Sequence, residues 1–276
     1  MLNAETPATD GELRTSLGSR SLPGWREVRN YALQVASLAI FFGGGLVITI
    51  ISPVIRLTLG RDRSLRGQKF IRAVFSGFAW WLRRTRLFRL RFEGCDRLEG
   101  LQGTIVAPNH PSLLDAIFLI AVVPRAVCIM RADLMRNPCF AGAAWLAGYI
   151  TNDRGVDLIR QCRHKLAAGD NLLIFPEGTR TRAHAHGVNP FKSGFALVAV
   201  LSGAPIQTVL IEHSGVYLGK ETNLAAAARI PIEVNIRLGE VFHAEVGESA
   251  KELAARLEIY FRTRLANTEN SICLRH

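Results

Sequence analysis

The segment Asn109-His110-Pro111-Ser112-Leu113-Leu114-Asp115 sets a histidine five residues before an aspartate, where a short apolar run ends. Imidazole has an unperturbed pKa of about 6.5, so it is neutral near pH 7 and can take a proton. A carboxylate about one helical turn on can bond one ring nitrogen, fix the tautomer and leave the other nitrogen as a base. Pro111 suits the first position of a helix. Alone, such a pair describes a packed histidine beside a surface charge, so its companions matter. In Phe175-Pro176-Glu177-Gly178-Thr179-Arg180-Thr181 the glycine permits close backbone approach, Arg180 offers a fork for phosphate, and Glu177 can accept from a hydroxyl. Gly148-Tyr149-Ile150-Thr151-Asn152-Asp153-Arg154 puts a second arginine, Arg154, beyond another strand end. Phe191-Lys192-Ser193-Gly194 opens a helix with Lys192 near its electropositive N-terminus. A histidine base with two arginines and a lysine implies an amphiphilic substrate with a phosphate-like head and a hydroxyl to activate.

Short apolar strands alternating with helical stretches must position these residues. Strands are expected at 104–107, 126–130, 148–152, 171–175, 206–211 and 232–238, and helices at 111–122, 137–147, 156–168, 192–201 and 249–266. Gly169 stands where a helix C′ residue belongs, and Ser249 with Glu252 forms a capping box. This alternation predicts an α/β fold with a mostly parallel, helix-covered sheet, whose ligand sites lie beyond the carboxyl ends of strands.

The N-terminal third reads differently. Residues 1–24 are polar and aperiodic and are expected to be disordered, followed by a membrane anchor and basic collar over 25–92 and the α/β domain over 93–276. Residues 30–55 carry no charge, long enough for a helix to cross a hydrocarbon core of about 30 Å. Gly43-Gly44-Gly45 and Pro53 would equally suit a helical hairpin that enters and leaves on one side. Between Arg56 and Arg91 there are eleven basic residues and one acid, Asp62, nearly the whole formal net charge of +11. Phe70, Ile71, Val74, Phe75, Phe78, Trp81 and Leu82 interleave with them at helical spacing, the pattern of a basic amphipathic helix in the headgroups of an anionic leaflet. The positive-inside rule puts the collar and the domain on the cytoplasmic side, the inner membrane in a bacterium.

Other classes fit less well. A mean hydropathy of +0.16 with 21% charged residues favours a membrane over nucleic acid as the anionic partner, and no nucleic-acid-binding motif occurs. No G-x-S-x-G marks a serine hydrolase. The five cysteines show no C-x-x-C pair and read as free thiols in a reducing compartment. No metal is implied; His184 and His186, two apart in a polar loop, read as solvated.

NHPSLLD, GYITNDR, FPEGTRT and FKSG, in this order over roughly residues 91–212, resemble the glycerolipid acyltransferases, specifically the 1-acylglycerol-3-phosphate (lysophosphatidate) acyltransferase group. The resemblance implies that family's α/β fold behind an N-terminal membrane-associated helical segment. It also implies one-step acyl transfer from acyl-CoA or acyl carrier protein, a co-substrate rather than a cofactor, to the free hydroxyl of a lysophospholipid. His110 would deprotonate that hydroxyl and Asp115 would orient His110. Arg154, Glu177, Gly178 and Arg180, with Thr179 and Lys192 beside them, would bind the acceptor head. The sequence departs from the family pattern at Arg131-Ala132-Asp133-Leu134, at Thr151-Asn152 and at Thr208, where a proline is expected. An acyltransferase for a specialised lipid, such as a lyso-ornithine lipid or a polyene-type pigment ester, would share every catalytic residue. A non-catalytic membrane-binding protein of the same fold would be expected to have lost His110 or Asp115, and both are present.

Overall fold

A computed structural model describes residues 24–60, 62–153, 155–182, 187–215, 218–219 and 230–273, with side chains as far as Ala266. The disorder expected for residues 1–24 falls almost wholly outside these. Two helices come first, α1 (Trp25–Thr58) and α2 (Arg63–Arg84), followed by strand β1 (Phe88–Glu93) and a 3-10 turn. The chain continues β2 (Ile105–Pro108), α3 (Asp115–Val122), β3 (Ala126–Met130), α4 (Ala132–Arg136), α5 (Pro138–Ala147), β4 (Ile150–Thr151) and α6 (Val156–Ala167). Then come β5 (Asn171–Leu173), α7 (Gly194–Ser202), β6 (Ile206–His213), β7 (Ile232–Phe242) and α8 (Ala250–Cys273).

The seven strands form one sheet in the order β1-β7-β6-β2-β5-β3-β4. Only β6 and β7 pair antiparallel, so the sheet is mostly parallel with helices over it, as the alternation predicts. Each central strand is an apolar run because both faces are covered: Ile105, Val106, Ala107, Leu172 and Leu173 are fully buried. Gly169 follows α6 with φ +80°, and Ser249 and Glu252 exchange backbone-to-side-chain hydrogen bonds of 2.8 and 3.3 Å ahead of α8. Thr208 sits at a register shift in the β6–β7 pair, where its hydroxyl donates to the Glu240 carbonyl at 2.7 Å.

Two features differ from expectation. The sheet begins at Phe88, ahead of the anticipated domain boundary at 93. In β1, buried Phe88 and Leu90 alternate with exposed Arg89 and Arg91, so these two arginines belong to an edge strand, and Arg89 pairs with Glu233 at 2.5 Å. The helix expected from Pro111 starts only at Asp115. Of the two readings of the apolar run, the helix and not the helical hairpin within it forms: the run is a single helix, α1, with Pro53 inside it.

The α1–α2 hairpin is packed onto the α/β domain. A Cβ on Gly142 of α5 would lie 2.3 Å from Thr49 Cα, and one on Gly45 would lie 2.0 Å from the Cys139 carbonyl oxygen. Thr49 Oγ1 donates to the Pro138 carbonyl at 2.5 Å and accepts from Gly142 N at 2.8 Å. Ile71 and Leu82 of α2 enter the core, and Arg72 donates to the last carbonyls of α3, on Ala121 and Val122. The opposite face of α1 is left bare, with Val28, Val47, Ile50, Val54 and Leu57 exposed. Backbone contact this close leaves no room for a side chain. Gly142→Ala is therefore expected to destabilise the protein by about 1–3 kcal/mol through overpacking. Gly77→Ala, at an exposed position of α2 with open space around it, is expected to be neutral or stabilising by up to about 1 kcal/mol. Thermal unfolding of the two variants in detergent checks the contrast.

Candidate active site

Strand β2 ends at Pro108, and the next two residues turn out of the sheet. The buried amide of Asn109 continues the ladder: it donates to the Ile211 carbonyl at 2.8 Å and accepts from Ile211 N at 2.7 Å, tying this corner to β6. His110 follows, its ring stacked on Phe175 at 3.9 Å between centroids. His110 Nδ1 lies 3.1 Å from Asp115 Oδ2. The late start of α3 explains the geometry. Residues 112–115 form a turn in which Ser112 N donates to Asp115 Oδ2 at 2.7 Å, so the carboxylate is aimed back at the histidine. A carboxylate accepts from Nδ1–H, which leaves Nε2 with a free lone pair; no described residue bonds it.

Asp115 is completely buried. Burial alone would raise its carboxyl. Electrostatic attraction to His213 and the hydrogen bonds from His110 and His213 outweigh that and hold it below the ordinary carboxylate value. His213, the last residue of β6, places Nε2 2.9 Å from Asp115 Oδ1. Nothing in local spacing points to His213, since it is 98 residues from the aspartate.

Glu177 was expected to bind the acceptor head; the structure places it behind the wall, 1% exposed. Its Oε1 accepts from His110 N at 2.9 Å and from the Thr181 hydroxyl at 2.7 Å, and its Oε2 from Asn189 N at 2.9 Å. Burial raises its carboxyl despite these donors. Gly178 has φ +65°, and a Cβ there would come 3.0 Å from Lys192 Cδ, so glycine lets the lysine lie across the loop. Arg180 Nη1 donates to the Leu218 and Gly219 carbonyls, each at 2.8 Å, anchoring the segment after β6. Arg154, His184 and His186 lie outside the described residues.

His110, Gly178, Thr179, Arg180 and Lys192 line one cavity of about 720 Å³. Its interior is apolar, walled by Phe41 and Phe75 of the hairpin, Ile117 and Ile120 of α3, and Phe140 and Ala143 of α5. Arg131, Asp133 and Asn152 line it as well, and Arg131 pairs with Asp133 at 2.9 Å. Cys128 also faces the cavity, but burial pushes its thiol up to about 12, so it stays protonated and is a poor nucleophile. The arrangement is an oriented, partly exposed histidine on the wall of a mostly apolar space that Arg131, Arg180 and Lys192 also line.

His110 thus stands beyond the carboxyl end of β2, a central strand of a mostly parallel sheet, where such folds place ligand sites. Residues 89–212 match the family described as Acyltransferase. It is 28% identical over 203 residues to 1-acyl-sn-glycerol-3-phosphate acyltransferase alpha of Mus musculus, covering 70% of this chain and 68% of that one. It is 34% identical over 116 residues to 1-acyl-sn-glycerol-3-phosphate acyltransferase of Helicobacter pylori, covering 40% of this chain and 48% of that one. The solved 1-acyl-sn-glycerophosphate (LPA) acyltransferase PlsC of Thermotoga maritima shares the fold, with a TM-score of 0.66 and 22% identity over 88% of this chain and 98% of that one.

Glu177→Gln turns one of the accepting oxygens into a donor facing donors. The expected result is a stability loss of about 1–3 kcal/mol, the cost of a buried donor left unpaired. The kcat should fall while the acceptor KM stays near wild type. Denaturation and steady-state kinetics on one preparation check both; a raised acceptor KM with unchanged stability would restore Glu177 as a substrate ligand.

Proposed function

We propose that this enzyme moves a fatty acyl group from an acyl thioester, acyl-CoA or acyl carrier protein, to the free hydroxyl of a lysophospholipid. The acceptor placed first is 1-acylglycerol-3-phosphate, giving phosphatidate. The observation that carries the reading is His110, backed by buried Asp115, on the wall of a mostly apolar cavity that Arg131, Arg180 and Lys192 also line. His110 Nε2 takes the proton of the acceptor hydroxyl as its oxygen attacks the thioester carbonyl carbon. The C–O bond forms and the C–S bond breaks. The imidazolium returns its proton to the departing thiolate, so the base is regenerated. Asp115 holds the ring and balances the imidazolium during that step.

The α1–α2 hairpin sits in the membrane surface, its bare apolar face in lipid. Trp80 and Trp145 are exposed beside it, Arg56 lies over the Trp145 ring at 4.3 Å, and the basic residues contact an anionic, cytoplasmic leaflet. The same leaflet supplies the acceptor. A phosphate-free acceptor is the second reading, favoured by the engagement of Arg180 Nη1 with two carbonyls.

His110→Ala is expected to lose about 10²–10⁴-fold in rate while staying membrane-bound, and Asp115→Asn nearly as much. Wild-type activity in His110→Ala would end the mechanism. Arg180→Ala separates the acceptors. If the acceptor carries a phosphate monoester, its KM should rise about ten- to a hundred-fold, the worth of a charge-assisted hydrogen bond. An unmoved KM, together with turnover of phosphate-free lysolipids in an acceptor panel, promotes the second reading.

A further inference from the structure

Asp115 has two histidines, and the reaction as written uses one. His213 Nε2 reaches Asp115 Oδ1 at 2.9 Å, while Oδ2 takes His110 Nδ1 and Ser112 N. The His213 side chain is 5% exposed, and its Nδ1 is buried with no hydrogen-bond partner among the described residues. An apolar side chain of similar size would leave no polar atom unpaired there, so the hydrogen bond to Asp115 is what this imidazole accomplishes. Its place is built: Asn109 locks Ile211 of β6 to the corner that carries His110, and His213 is in register with Val234 of β7. The Acyltransferase match ends at residue 212, one short of it.

We propose that His213 is a positioning residue for the acyl transfer, holding the Asp115 carboxylate in the plane of the His110 ring and sharing its charge. The inference rests on His110 being the base. The last torsion of a carboxylate is broad, and donors on both oxygens narrow it further than donors on one. With donors on both oxygens, Oδ2 stays aligned with Nδ1 through the proton's outward and return journeys.

The sharing has a direction. A donor on Oδ1 draws charge from the carboxylate. Its loss leaves a fuller negative charge facing His110, the imidazolium forms more easily, and the base is protonated to a higher pH. Other charged groups around the triad are Glu177 and Arg180 from the loop after β5, and Glu212 of β6, which pairs with Arg237 of β7 at 3.4 Å. Arg131, Asp133 and Lys192 also line the cavity. These groups stay in place when His213 is changed.

The test is a matched pair of neutral amides. In His213→Gln the amide nitrogen stands near the position of Nε2 and can still donate to Asp115. In His213→Asn it is held too close to the main chain to reach. His213→Asn is expected to lower kcat about ten-fold, the worth of one charge-assisted hydrogen bond. Both substrate KM values should stay within about two-fold, and the acid limb of kcat/KM against pH should move up by about half a unit or more. His213→Gln should recover most of the lost kcat and the wild-type limb. If His213→Asn does not fold, His213→Leu takes its place, with the same expectation. Two variants that behave alike, whether both near wild type or both equally impaired, overturn the proposal. His110→Ala run alongside keeps the failures apart: if it is inactive and the pair is alike, only the role of His213 falls, whereas if it is active the base assignment falls and this inference with it.

Discussion

A carboxylate removed entirely from water must be met by donors on both oxygens, and Asp115 imposes that requirement on everything around it. Its donors come from three places in the chain: Ser112 just before α3, His110 after β2, and His213 at the end of β6. They can meet only because β6 lies directly beside β2 in the sheet, and Asn109 secures that neighbourhood where the backbone ladder runs out. A second buried carboxylate, Glu177, works from the other side. It accepts from the backbone of His110 and gathers Thr181 and Asn189. His110 is thus gripped by its ring and by its main chain, with Phe175 against one face. Restraint from both sides holds the imidazole in one orientation.

This arrangement overrides local preference. Pro111 would start a helix readily. The chain delays α3 to Asp115 instead and turns the Ser112 N–H into the carboxylate. Gly178 is the other concession, a left-handed residue that gives Lys192 room to cross the loop.

How much was legible follows from the range of each signal. Apolar runs bounded by turn residues revealed the central strands, and Ala126–Met130 coincides with its expected limits. The H-x4-D pair was readable because both partners are local. His213 was not, since the contact exists only once β6 is seated beside β2. The type and loop setting of Glu177 were consistent with a ligand; only its burial and three donors show it clamping loops. β1 escaped because Arg89 and Arg91 were counted in a basic run, although Phe88, Leu90 and Phe92 alternate with them at the strand period. In the apolar run, composition revealed a lipid-seeking helix but not that Gly45 is the footing for α5.

That footing links anchor and chemistry. Phe41 of α1 points inward, with its ring 5.6 Å from Phe78 of α2 and 5.8 Å from Phe140 of α5, while Ile40 beside it is exposed. One helix therefore supplies the inner wall of the cavity and the outer face proposed to lie in lipid. Thr49, bonded to Pro138 and Gly142, fixes its register against α5. Since α5 and α3 also wall the cavity, any slip of α1 against α5 would reshape it. Glycine at 142 and 45 is thus a requirement of the cavity as much as of the anchor. The hairpin is better understood as part of the active site than as a tether attached to it.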